Sequence, residues 1–330
     1  MQEISREILI DKAVSLMENG TVDRVIGWGS GEFSYDITPK VFKSADELKD
    51  GLVWNDFCGA NFSKYLIKET EKTEKKVLVF LKPCDTYSFN QLLTEHRFNR
   101  DKVYAIAVPC GGMIDINRIK EVCDGVSSVS FDNDKVIVHT LYDGDKEIEK
   151  SDVLAERCKN CKSKKHMAYD ELLGTDGEVL SSNRFDEVER IEKMTPDERF
   201  AFWQGELSRC IRCNACRDVC PACTCEKCVF NNSESGVENK AAANSFEEKM
   251  FHIIRAFHVA GRCTDCGECS RVCPQHIPLH LLNRKFIKDI DEFYGEYQAG
   301  AEVGNRPPIV NYTEGDIEPG EAVERGGSYA

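Results

Sequence analysis

The sequence predicts an α/β N-terminal domain joined to a small, cysteine-rich α+β module, and three observations carry that prediction. Two apolar runs, KKVLVFL (76–82) and VYAIAVPC (103–110), have the length and β-branched content of buried strands. Helix-like segments, SFNQLLTEH and IDINRIKEVC, follow each of them, as in a layer with some parallel sheet. Cysteine density then changes near residue 205, where a boundary is expected.

Residues 1–20 place Ile4, Ile8, Val14 and Leu16 among polar neighbours and predict a helix. TVDRVIGWG predicts a short strand and a glycine turn; Gly29 and Gly31 serve that turn or, alternatively, approach a cofactor. The strand at 76–82 runs into "KPCD", and the strand at 103–110 ends in "PCGG". VSSVSFDNDKVIVHTLYDGDKEI alternates with period two around DND, as a hairpin does. After RCKNC (157–161) a polar, helical stretch is expected up to about residue 205. The domain reading is therefore 1–205 for the α/β domain, 206–290 for the cysteine-rich module and 291–330 for a Gly/Pro/Glu-rich tail. That tail is expected to lie along another surface or to stay mobile.

Acidic residues outnumber basic ones, 57 to 43, for a net charge of −14. Such a surface repels nucleic acid and anionic lipid, so neither is an expected partner. No run approaches the roughly 18 apolar residues of a membrane span, and the opening MQEISREILIDK carries no apolar signal core. The expected location is cytoplasmic. In a reducing compartment, 17 cysteines serve metals or catalysis more readily than disulfides.

Two runs share one spacing. Cys210-x2-Cys213-x2-Cys216-x3-Cys220-Pro221 is the first and Cys263-x2-Cys266-x2-Cys269-x3-Cys273-Pro274 the second. This is the two-cluster bacterial ferredoxin pattern, in which the fourth cysteine of each run ligates the other cluster. Hence Cys210, Cys213, Cys216 and Cys273 are expected on one 4Fe-4S cluster, and Cys263, Cys266, Cys269 and Cys220 on the other. A zinc ribbon also uses C-x2-C pairs, but it has no use for the third cysteine or the Cys-Pro ending. Between the runs, Phe246, Met250, Ile254 and Phe257 recur at helical spacing and predict the module's core, with His252 and His258 as ordinary helix residues. Cys223, Cys225 and Cys228 stand outside the pattern. As C-x-C-x2-C they are candidates for a further cluster, completed by Cys58 or by a partner's residue. Cys84 and Cys110 end two predicted strands of one sheet, whose strand ends face one crevice. With Cys158 and Cys161 they are read as another cluster, as a zinc site or as plain core thiols.

The order "PCD", "VPCGG" and "CKNC…YDELLG" resembles the β-subunit family of coenzyme F-420 hydrogenases and dehydrogenases, which includes formate dehydrogenase β subunits. That resemblance implies a 4Fe-4S cluster on Cys84, Cys110, Cys158 and Cys161, beside a flavin (FAD). One departure stands out: where such members carry a glycine-rich segment, this chain has only Gly174 and Gly177 in "LLGTDGEVLSSNRF". The C-terminal half resembles ferredoxin modules fused to such subunits.

With no competing acid–base or nucleophile constellation, the expected function is electron transfer. The chain reads as the iron–sulfur subunit of a multi-subunit oxidoreductase in an anaerobic host. The implied partners are a hydrogenase or formate dehydrogenase catalytic subunit on one side, and a heterodisulfide-reductase-like flavoprotein or ferredoxin on the other. The alternative is an FAD-dependent oxidoreductase acting directly on coenzyme F-420 or a similar hydride carrier.

Overall fold

The computed structural model describes residues 4–180, 183–231 and 245–310, without the side chains of 245–249. The chain opens with α1 (Arg6–Glu18), whose start is fixed by the Ser5 hydroxyl accepting from the Ile8 N–H. Strands β1 (Val22–Ser30) and β2 (Ile37–Phe42) follow, then α2 (Ala45–Gly51) and α3 (Tyr65–Glu69). Next come β3 (Lys76–Leu81), α4 (Pro83–Thr94) and β4 (Val103–Ala107). With the two-residue β8 (Glu171–Leu172) they form a sheet of order β2-β1-β3-β4-β8. β1, β3, β4 and β8 run parallel, and β2 is antiparallel at the edge. Val77–Leu81 and Ala105–Ala107 are wholly buried, as the continuous apolar runs require of central parallel strands.

A second sheet is larger than the expected hairpin: β5 (Val126–Asp132), β6 (Lys135–Thr140) and β7 (Asp145–Glu149) form a three-stranded antiparallel meander. α5 (Ile116–Val122) precedes it and α6 (Glu156–Lys159) follows. The stretch read as helical up to 205 is irregular through residue 180 apart from β8, and only α7 (Asp186–Glu192) and α8 (Pro196–Ser208) are helical. Gly174 at φ +84° and Gly177, where a Cβ would meet the Lys164 backbone, hold this segment in tight turns. At the first glycine pair, Gly29 lies within β1, and the turn begins at Gly31, whose N–H donates to the Asp36 carbonyl.

In the cysteine-rich part, α9 (Ala215–Val219) and α11 (Glu268–Arg271) sit in equivalent places of the two cysteine runs. α10 (Ser245–His258) and α12 (Leu279–Tyr294) pack on each other alongside them. One expectation fails here. Met250 and Phe257 face solvent, and the buried face of α10 is Phe251, His252, Arg255, Ala256 and Val259. The helix turns inward the side that meets the cysteines, where polar groups are needed, and the apolar stripe is displaced from it. Phe246 lies outside the described side chains. Of the tail, residues up to 310 are described; Tyr297 and Ala299 are buried with Ile290, and Gly300, at φ +75°, is pressed against the Tyr87 backbone. Residues 311–330 of the tail lie outside the described residues.

Candidate metal centres

Three cavities lined by cysteine lie in a row. The first is built by the ends of two parallel strands. Leu81 of β3 pairs with Ala107 of β4, and three residues past each of these stand Cys84 and Cys110. α6 and the segment after it bring in Cys158 and Cys161, so that all four line one cavity, the domain cage. The second, the near cage, is lined by Cys220, Cys263, Cys266 and Cys269. The third, the far cage, is lined by Cys210, Cys213, Cys216 and Cys273. Each of the last two thus draws three cysteines from one run and the fourth from the other.

Local backbone geometry explains why the two runs fold alike. Arg212 and Asp265, both at φ +54°, immediately precede the second cysteine of their runs, and Asn214 and Gly267, at +62° and +67°, follow it. Three of the four are not glycine, and each such left-handed residue costs about 1–2 kcal/mol. Right- and left-handed residues in alternation turn successive N–H groups into a concavity that suits an anion. The Arg212 N–H points at the Cys210 sulfur at 3.4 Å. In the domain cage the Met113 N–H does the same to Cys158, also at 3.4 Å.

Charge around the domain cage is lopsided. Lys82, Arg157, Lys162, Lys164 and Arg284 line it against a single acid, Asp265. Burial, with the Arg184 charge nearby, lowers the Lys162 pKa against the pull of Asp265, whereas for Lys164 the sulfurs of Cys110, Cys161, Cys158 and Cys84 outweigh burial and raise it. Lys82, Arg157 and Arg284 have carboxylate partners in Asp85, Glu268 and Asp265. Lys162 and Lys164 have none bonded to them among the described residues, and cations withdrawn from water need anions beside them. Thiols do not provide them, since burial pushes Cys110 up to about 11 and Cys84 well above the ordinary value. The same desolvation raises Cys216 and Cys263 to about 12. Four thiolates carrying iron and sulfide fit this lining, and their assembly displaces protons from the thiols. Among the described residues no three His, Cys, Asp or Glu side chains converge as a single metal ion requires. A zinc ion draws its donors to about 2.0–2.3 Å from one point; a four-iron cluster gives each thiolate its own iron, and the cysteines ring a cavity instead.

The cages share walls. Cys266 and Asp265 line both the domain cage and the near cage. Cys216 of the far cage and Cys269 of the near cage sit in one apolar cluster with Leu207, Ile277 and Leu279. Buried ion pairs lock the domain to the module along the first wall. Arg157 donates to Glu268 at 2.6 Å and to the carbonyls of Cys266 and Gly59, and Arg284 and Arg184 each bind Asp265 at 2.8 Å. The Lys162 ammonium caps the Thr264 carbonyl. Behind the domain cage, Lys82 pairs with Asp85 at 2.8 Å under the Trp28 ring. None of these charged residues was singled out from the sequence. The signal was present as basic residues interleaved with cysteines, in "LKPCD" and "RCKNCKSKK".

The remaining cysteines divide. Cys58 is fully buried, its sulfur accepts the Asn55 N–H at 3.2 Å, and burial pushes its thiol up to about 12. The groups that act on its charge are Lys82, Asp56 and Cys110, which places it on the side of the domain cage. Cys223 lies against Cys220, and the hydrogen bond between them lowers the Cys220 thiol and raises that of Cys223, while Cys225 is exposed.

The class of the module is given by comparison with known families: residues 206–277 match the 4Fe-4S dicluster domain family. The chain therefore combines a mixed α/β part with a C-terminal 4Fe-4S dicluster domain. Over nearly its whole length it is similar to the F420-dependent formate dehydrogenase subunit beta of Methanocaldococcus jannaschii, with 25% identity over 90% of this chain and 92% of that protein. The F420-dependent formate dehydrogenase 1 subunit beta of Methanococcus maripaludis is 24% identical over 65% of this chain and 71% of that one. The resemblance read from the cysteine motifs of residues 84–173 is borne out by these relatives. Among solved structures, a chain of the F420-reducing [NiFe] hydrogenase complex from Methanosarcina barkeri aligns with 62% of this chain and 86% of its own, at 13% identity and a TM-score of 0.38. A likeness that loose carries no argument. No described helix is long and apolar enough to cross a membrane.

Proposed function

We propose that this chain is the iron–sulfur electron-transfer subunit of a cytoplasmic, multi-subunit oxidoreductase, and that it relays single electrons through three 4Fe-4S clusters. The ligands are Cys84, Cys110, Cys158 and Cys161 for the domain cage, Cys263, Cys266, Cys269 and Cys220 for the near cage, and Cys210, Cys213, Cys216 and Cys273 for the far cage. When bound, the clusters supply one-electron storage at three fixed points. The observation that carries the reading is the shared wall: Cys266 stands in both the domain cage and the near cage. Such a wall puts two redox sites next to each other with no solvent between. The apolar cluster holding Cys216 and Cys269 does the same for the next pair.

The order of the cages gives the route two ends. At one end Cys213 and Ile211 are exposed, which opens the far cage to a docked partner. At the other, Met113 and Arg157 line both the domain cage and a cleft of about 660 Å³. The partners are those of the family resemblance: a formate dehydrogenase or hydrogenase catalytic subunit, and a flavoprotein or ferredoxin. The cleft is where the second reading, an FAD-dependent reductase of coenzyme F-420 or a similar carrier, would place its dinucleotide. Arg118, Arg157, Arg190, Arg209 and Arg271 line it, but each is paired with a glutamate, and an anionic ligand has to draw them from those partners.

Iron, acid-labile sulfide and flavin measured on anaerobically purified protein test both readings. About twelve irons per chain are expected, at four per cluster. Zinc without sulfide refutes electron transfer, and flavin bound at one per chain moves the assignment to the reductase.

A further inference from the structure

Arg255 is the most anomalous charged residue of the module. It lies on the inward face of α10, its side chain is 1% exposed, and Nε, Nη1 and Nη2 all lack a hydrogen-bond partner. A guanidinium carries five N–H donors, and burying them unpaired costs several kcal/mol. Among the described residues no carboxylate answers it. The groups that stabilise its charge are the sulfurs of Cys269 and Cys220, from the near cage, and of Cys216, from the far cage, with Cys223 beside them, and Cys216 and Cys269 share one buried cluster. One turn earlier His252, also 1% exposed, lines the far cage with both ring nitrogens equally without partners. A helix face that directs unpaired donors at two groups of cysteine is built for acceptors that those cysteines hold.

We propose that Arg255 is an electrostatic bridge between the near and far clusters, donating N–H bonds to sulfur on both sides and favouring the reduced state of each. The proposal rests on the cluster assignment made above. Reduction adds one electron to a cluster and neither forms nor breaks a bond to the protein. The added negative charge is stabilised by a fixed cation in a low-dielectric site, so a cation shared by two clusters raises both potentials. Because the same charge serves both, the two potentials move together and neither site becomes a trap relative to the other. Arg255 is thus a positioning residue for charge. The domain cage, lined by its own cations, lies outside its reach.

The test is an EPR-monitored redox titration, with dithionite as reductant, of the anaerobic full-length protein and its R255K and R255M variants, with iron and sulfide counted in each. In R255M the near and far clusters should be reduced at least tenfold less at a fixed potential, a shift of about 59 mV or more to the negative for one-electron couples. R255K should restore most of it, and the domain-cage potential should not move. Should R255M lose iron, R255Q, which keeps amide donors without the charge, carries the same expectation. Full cluster occupancy with both potentials unmoved, or with all three shifted alike, overturns the bridge and leaves the electron-transfer reading standing. A wild type without clusters in these two cages overturns that reading as well.

Discussion

Replacing Glu268 with alanine tests how the α/β domain is held to the module. Glu268 is completely buried between Cys266 and Cys269, and four donors meet its carboxylate. They are Arg157 Nη1 at 2.6 Å, Arg271 Nε and Nη2 at 2.7 and 2.8 Å, and the Asn61 N–H at 3.2 Å. Breaking a buried ion pair by removing one partner costs about 3–5 kcal/mol. The lower end applies here, because Arg157 keeps the carbonyls of Cys266 and Gly59. The buried Asn61 N–H, left without an acceptor, adds about 1 kcal/mol. Arg271 is partly exposed, rehydrates and adds little. A cost of about 4 kcal/mol corresponds to a roughly 1,000-fold change in the opening equilibrium. Amide hydrogen exchange of residues 57–63 in the anaerobic holoprotein reads that opening directly. E268A should accelerate exchange there by about three decades, and E268Q, which keeps one acceptor, by fewer. Acceleration below tenfold, or equal acceleration in β3 and β4, would refute the clamp.

Four further outcomes are expected. C220A should empty the near cage and spare the cluster of its sequence neighbours, while C273A does the reverse; iron should fall from about twelve to about eight in each, and loss at the neighbouring run alone would show the crossed ligation to be wrong. C58A should leave iron content unchanged at a stability cost of about 1 kcal/mol, the worth of one hydrogen bond, since the Cys58 sulfur accepts the Asn55 N–H and makes only long contacts to the Val53 carbonyl and the Asn55 side chain; a loss of four irons would make it a ligand. K82M should destabilise the α/β domain by about 3–5 kcal/mol in urea unfolding by stranding Asp85, and a change under 1 kcal/mol would show that the pair is dispensable. Oxidative removal of the clusters should open the segment 206–290 to protease, because ligation and folding are coupled there; a resistant apo segment contradicts that coupling.

Features with a fixed period or spacing were legible in the sequence. The runs at 76–82 and 103–110 announced two central strands, and the C-x2-C-x2-C-x3-C-P repeat announced two cages with exchanged fourth cysteines. The N-terminal set was open on spacing alone. Cys84 and Cys161 are 77 positions apart, and only the parallel register of β3 and β4 brings the strand ends to one edge. α10 misled for a different reason. Apolar periodicity assumes that the buried face is the greasy one, whereas this helix buries Arg255 and His252 against cysteine and exposes Phe257. The burial of Cys58 and its contact with the Asn55 turn are set by local backbone that no count of cysteines reveals.

Charge is sorted by depth in this molecule, and the sorting explains how an acidic protein holds anionic cofactors. The chain as a whole carries −14, yet four cations, Lys82, Lys162, Arg255 and Arg284, are buried around the cages, together with the acids Asp85, Asp265 and Glu268. Lys82 and Arg284 are paired with Asp85 and Asp265, whereas Lys162 and Arg255 have no carboxylate bonded to them among the described residues. Burying a cation without an anion beside it is unfavourable, so these two positions are the ones that call for negative charge in the cages. Removing the cysteinates would leave the interior with uncompensated positive charge and the surface with excess negative charge, and both would oppose the compact state. Under the proposed assignment the clusters would serve as counter-ions for the part of the core charge that no carboxylate answers.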